Sequence, residues 1–181
     1  MNRRNFLKNS IYASAGIGSS VYLTGCDYQK PTTITILHTN DVHSHITPFD
    51  NSHSEFPNQG GVSRRSTLIE KIRKNNPNTL LFDAGDAFQG TPYFNVFKGE
   101  LEFKLMSMLK YDAMTIGNHD FDNGISGIKK QIYHANFDFI CSNYDFSNTI
   151  LDGKTSKYKI YEKSNIKIGV FGLGIKLAGL V

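Results

Sequence analysis

The chain has 181 residues, 39% of them hydrophobic and 12% aromatic, which is enough for one domain with a buried core and excludes a disordered chain. Its formal net charge is +4, but Arg3, Arg4 and Lys8 stand in the first 25 residues with no acid among them; without these three, 17 basic residues face 16 acidic ones, a net of +1. No Lys/Arg run is longer than two, so nothing points to a nucleic-acid polymer as partner.

Residues 1–25 read as an export signal. Met1 to Lys8 is positive, and Ile11 to Leu23 is a mildly apolar stretch of 13 residues, short of the roughly 20 that span a bilayer. Arg3-Arg4-Asn5-Phe6-Leu7-Lys8 resembles the bacterial twin-arginine motif, an address read by the twin-arginine export machinery. Leu23-Thr24-Gly25-Cys26 resembles a lipobox, which implies acylation of Cys26 and a mature chain tethered to a membrane by lipid, at a periplasmic or cell-surface location. The plain alternative is an amphipathic N-terminal helix. Residues 26–32 are then a spacer, and Cys141, in an apolar run, reads as a small buried hydrophobe rather than a disulfide partner of Cys26.

From residue 33 the chain alternates. Thr33 to His38 predicts a strand, and Thr39 to Gly60 a polar, His-rich loop. Gly61 to Asn75 predicts a helix with Val62, Leu68, Ile69 and Ile72 as its apolar residues and Arg64, Arg65, Lys71, Arg73 and Lys74 solvated. Thr79 to Phe82 is a second strand, followed by a Gly/Pro loop and a helix from about Glu100 to Leu109. Ala113 to Ile116 is a third strand, Ile125 to Ala135 a helix, and Phe137 to Cys141 a fourth strand. Tyr158 to Tyr161 and Ile166 to Phe171 flank a Lys163-Ser-Asn165 turn, a hairpin signal. Such alternation argues an α/β fold with a mostly parallel sheet and flanking helices.

Ligands of α/β sheets gather at the carboxyl ends of the strands. Three strands here end in metal-type residues: Asp41-Val42-His43, Asp83-Ala84-Gly85-Asp86 and Gly117-Asn118-His119-Asp120. Carboxylate, imidazole and amide oxygen suit divalent ions such as Mn, Zn or Fe. A carboxylate can bridge two such ions, which together clamp a phosphoryl oxygen and acidify a water. An uncoordinated histidine beside them can protonate a leaving alkoxide.

Asp41-x-His43, Gly85-Asp86 and Gly117-Asn118-His119-Asp120, in that order, resemble the signature of the calcineurin-like metallophosphoesterases. The wider segments Ile36 to His43, Asp83 to Gly90 and Gly117 to Asp122 look like the N-terminal domain of the bacterial 5′-nucleotidase family, which includes UDP-sugar hydrolases and cyclic-nucleotide phosphodiesterases. The likeness runs from about Thr33 to Gly174. It implies a partial αββα sandwich, two divalent ions, and a nucleotide or related phosphoester as substrate. It also implies roles: Asp41 and His43 on the first ion, Asp86 bridging, Asn118 on the second, and His119 as transition-state stabiliser or general acid oriented by Asp122. A carboxylate three residues on can curl back to fix the imidazole tautomer.

Taken singly, Asp41 and His43 would read as a solvated loop pair and Asn118 as a turn residue. His45 reads as structural or as support for a ligand, His38 as a packed core histidine, and His53 and His134 as surface residues. Asp86 is preferred over Asp83 as ligand, and Asp120 is left without a catalytic role. The family signature continues with a further histidine and a Gly-His segment, whereas the histidine after His119 is His134 and no Gly-His occurs. Residues 33–181 are therefore expected to be the N-terminal portion of such a domain, with the second ion weakly held. A catalytically inactive lipoprotein fragment or binding module is the alternative, and another hydrolase of the superfamily, such as one acting on thiosulfate esters, a third.

Overall fold

The computed structural model of the protein describes residues 31–179; Arg3, Arg4 and Cys26 lie outside the described residues. Four strands, β1 (Thr35–Thr39), β2 (Thr79–Asp83), β3 (Ala113–Met114) and β4 (Asp138–Phe139), form a parallel sheet in the order β1-β2-β3-β4. Parallel neighbours need crossovers, and helices supply them. α1 (Val62–Asn75) joins β1 to β2; α2 (Pro92–Phe97) and α3 (Glu100–Met108) join β2 to β3; α4 (Gly124–Gln131), continued by a 3₁₀ turn over Ile132–His134, joins β3 to β4. The register pairs Thr39 with Asp83 and Asp83 with Met114, so the carboxyl ends of β1, β2 and β3 stand level and their loops share one edge of the sheet.

Side chains alternate across the strands. Leu81, Met114 and Phe139 join the core with Ile69 of α1, Phe94 of α2, Phe103 and Met106 of α3 and Ile128 of α4. The rings of Phe88, Phe94, Phe103 and Phe139 form a chain of contacts 4.6–5.4 Å between centroids. Cys141 is buried and free, and burial raises its thiol pKa, as expected of a small hydrophobe. On the opposite face, Tyr161 packs on Phe82 at 5.6 Å. It belongs to the antiparallel hairpin of β5 (Tyr158–Lys163) and β6 (Ile166–Phe171). Ser164 and Asn165 both have positive φ, 48° and 64°, the type I′ geometry that suits the twist of a two-residue hairpin.

Several expectations need correction. α2 occupies ground read as a Gly/Pro loop. Its start signal is Thr91-Pro92, with the Thr91 hydroxyl accepting the Tyr93 N–H at 3.3 Å and Pro at the first position. The basic residues of α1 are not all solvated. Arg65 is half-buried, and Arg73 crosses to donate to the carbonyls of Leu109 and Lys110, both at 2.6 Å, where the negative end of α3 attracts a cation. His38 is exposed rather than packed; among the described residues β1 is an edge strand with β2 as its one neighbour. β3 and β4 are also shorter than expected, each pairing over two residues.

Candidate metal centre

The β1–α1 and β2–α2 loops are laced together just beyond their strands. Asp41 N–H donates to Gly85 O at 3.0 Å, His43 N–H to Asp86 O at 3.0 Å, and Ser44 N–H to Ala87 O at 2.9 Å. Asp41, His43, Ser44 and Asp86 all adopt left-handed backbone, with φ of 51°, 47°, 58° and 57°. Each such residue costs on the order of 1 kcal/mol, which the cross-loop hydrogen bonds offset. The consequence is convergence: ligand atoms of Asp41, His43 and Asp86 lie within 4.8 Å of one another.

The imidazoles are oriented from behind. His43 Nδ1 lies 3.3 Å from the carbonyl oxygen of Phe88, an acceptor, and its Nε2 lies 3.7 Å from Asp41 Oδ1. His119 Nδ1 lies 3.3 Å from Asp122 Oδ2, as the spacing of three residues predicts, leaving its Nε2 free. The two rings meet edge to face with centroids 5.2 Å apart. His119 also donates its backbone N–H to Asp86 Oδ1 at 2.8 Å, so the third loop is fastened to the second. Asn118 is half-buried and leads into the 3₁₀ turn His119–Phe121. His45 turns its ring away, with Nδ1 at 3.2–3.3 Å from the carbonyls of His43 and Val42 and its face on Phe49 at 4.7 Å.

Two glycines are required by close approach. A side chain on Gly85, at φ 101°, would come 2.6 Å from the backbone N of Gly117, and one on Gly117 would collide with the Asp86 carboxylate.

Asp83 and Asp120 differ from the convergent carboxylates. Asp83 is buried, accepting the Thr39 hydroxyl at 2.5 Å and the Gly85 N–H at 2.9 Å, and burial lifts its pKa to about 6. Asp120, fully buried, accepts the N–H groups of Asp86, Phe88 and Gly117 at 2.9–3.0 Å; burial raises its pKa to about 7 against the pull of the Gly117 and Phe88 amides. Sequence reasoning left Asp120 without a role. Its work is to bind the β2 loop to the β3 loop, which no spacing rule reveals because its partners are backbone amides. Ser44 and Glu102 also escaped notice; Ser44 donates its hydroxyl to Glu102 Oε1 below the loop.

A parallel sheet whose strand ends bring two carboxylates and an imidazole together, with a second, carboxylate-anchored imidazole beside them, presents a donor group that could hold a metal ion. The calcineurin-like phosphoesterase model matches residues 34–171, and the chain belongs to that family, whose members use divalent metals. Within it, the resemblance is to 5′-nucleotidases. The chain is 41% identical over 150 residues to snake venom 5′-nucleotidase of Crotalus adamanteus, covering 79% of this chain and 26% of that protein. It is 39% identical over 147 residues to the 5′-nucleotidase of Homo sapiens, covering 77% and 26%. The crystal structure of a 5′-nucleotidase precursor from Thermus thermophilus superposes with a TM-score of 0.72 at 36% identity, over 78% of this chain and 28% of that one. The chain thus spans about a quarter of the length of these curated relatives.

Proposed function

We propose that this chain carries the ion-binding and proton-donating part of a site that hydrolyses nucleotides or related phosphoesters. The observation that carries the reading is the convergence of Asp41, His43 and Asp86 within 4.8 Å beside His119 and Asp122. The donor set is hard and borderline, with no thiolate, and fits Mn, Zn or Fe. Asp41, His43 and Asp86 would hold a first divalent ion, and Asp86 with Asn118 a second. Bound ions of this kind supply Lewis acidity toward a phosphoryl oxygen. His119, its Nδ1–H held by Asp122, keeps Nε2 available to pass a proton to the departing oxygen.

Titrating Mn²⁺ into the chain by calorimetry, alongside 5′-AMP hydrolysis, tests this. One ion should bind well, the second weakly, and Asp86→Asn should weaken both. A wild-type chain that takes up no Mn²⁺ sinks the reading. The donors for the second ion among the described residues, Asp86 and Asn118, are fewer than the roughly three that catalytic ions usually have. That favours an ion-binding module as the second reading, and Mn²⁺ uptake without turnover would select it.

The finer location belongs to the same proposal: export by the twin-arginine route on Arg3 and Arg4, and lipid attachment at Cys26. Radiolabelled palmitate should enter the wild-type chain and not Cys26→Ser, and equal labelling would remove the anchor from the proposal.

A further inference from the structure

We propose that Glu102 is a positioning residue for the ion loop, holding Asp41 and His43 in place through Ser44; this rests on the ion-binding reading above. Glu102 sits on α3, 58 residues from Ser44, and is 4% exposed among core side chains. A carboxylate taken out of water is costly to keep, and an apolar side chain would pack there without that cost. Its Oε1 receives the Ser44 hydroxyl, the one side-chain hydrogen bond Glu102 makes among the described residues; Oε2 has no partner. Arg65 lines the same small cavity as Glu102, with Val42, Ser44 and Asp83, yet its Nε is also without a partner. No ion pair joins Glu102 to Arg65 among the described residues. The Glu102 carboxylate meets Ser44 instead.

Ser44 is a suitable point of attachment. It is fully buried, directly follows His43, and has φ 58°. Every polar atom it has is engaged: N–H to Ala87 O at 2.9 Å, C=O to the Thr91 hydroxyl at 2.9 Å and to Ile46 N–H at 2.8 Å, and Oγ to Glu102. Asp41, His43 and Ser44, all left-handed, shape the loop that carries both ligand side chains beside Asp86. Releasing Ser44 from α3 frees the part of that loop from which His43 projects.

The test is Mn²⁺ affinity of the full chain by calorimetry, with circular dichroism to confirm the fold. Glu102→Leu and Ser44→Gly should weaken the first ion about 10-fold or more, the range found when supports of metal ligands are removed. Glu102→Gln, whose amide oxygen still accepts the hydroxyl, should stay within roughly threefold of wild type. Ser44→Gly tolerates φ 58° without a Cβ penalty, so it remains decisive if Glu102→Leu does not fold. Wild-type affinity in Ser44→Gly, or a loss in Glu102→Gln equal to that in Glu102→Leu, overturns the inference while leaving the ion site intact. Absence of Mn²⁺ binding in the wild type overturns the functional reading as well.

Discussion

Single residues define this site by what they connect as much as by what they present. Asp120 is the clearest example: one carboxylate takes three backbone N–H groups from two loops. Asp120→Ala leaves the buried Phe88 amide and the partly buried Asp86 and Gly117 amides without an acceptor, partly offset by no longer burying the carboxylate. The expected net loss is about 3 kcal/mol, read from urea unfolding. Asp120→Asn keeps one acceptor oxygen and should lose less. Asp41, His43 and Asp86, whose donor atoms the fold gathers within 4.8 Å, were picked out from the sequence because ion chemistry restricts the residue types and strand ends restrict their places. Asp120, Ser44 and Glu102 were not, since Asp120 is met by backbone amides and Ser44 and Glu102 by each other across 58 residues, and neither leaves a pattern of spacing.

At the scale of elements, local rules succeeded where local chemistry decides. The hairpin was readable from Lys163-Ser164-Asn165 because a two-residue connection of type I′ between antiparallel strands has positive φ at both positions. Asn tolerates that region and Gly prefers it. Asn165→Gly should therefore stabilise the chain by about 0.5 kcal/mol, and Asn165→Val, β-branched at φ 64°, should cost about 1–2 kcal/mol, both measurable by chemical denaturation. α2 was missed although Thr91-Pro92 announced it, because its six residues are too few for an apolar period to emerge. Arg73 was misjudged for another reason: its partners, Leu109 O and Lys110 O, are more than 35 residues away, beyond any helical periodicity.

For the whole molecule, buried carboxylates set the response to pH. Asp83 and Asp120 have pKa values raised by burial to about 6 and about 7, against an ordinary 3.8. Between about pH 4 and pH 7 the folded chain therefore holds protons that the unfolded chain has released, and linkage makes stability fall as pH rises through that window. The exposed carboxylates of Asp50, Glu100 and Asp145, shifted downward by hydrogen bonds, act in the opposite sense at lower pH. Melting of the metal-free chain should consequently occur at a higher temperature near pH 5 than near pH 8; an increase instead would refute the assignment to these two groups. The parallel α/β architecture was legible from strand–helix alternation. What alternation did not reveal is that β1 lies at the sheet edge among the described residues, with His38 exposed.

The amide clasp of Asp120 has one more consequence. Because the loops are drawn together by the chain's own hydrogen bonds, the outline of the ion cradle is written into the fold and not into its occupant. A frame closed in this way by amides would admit an ion without having to be assembled around it.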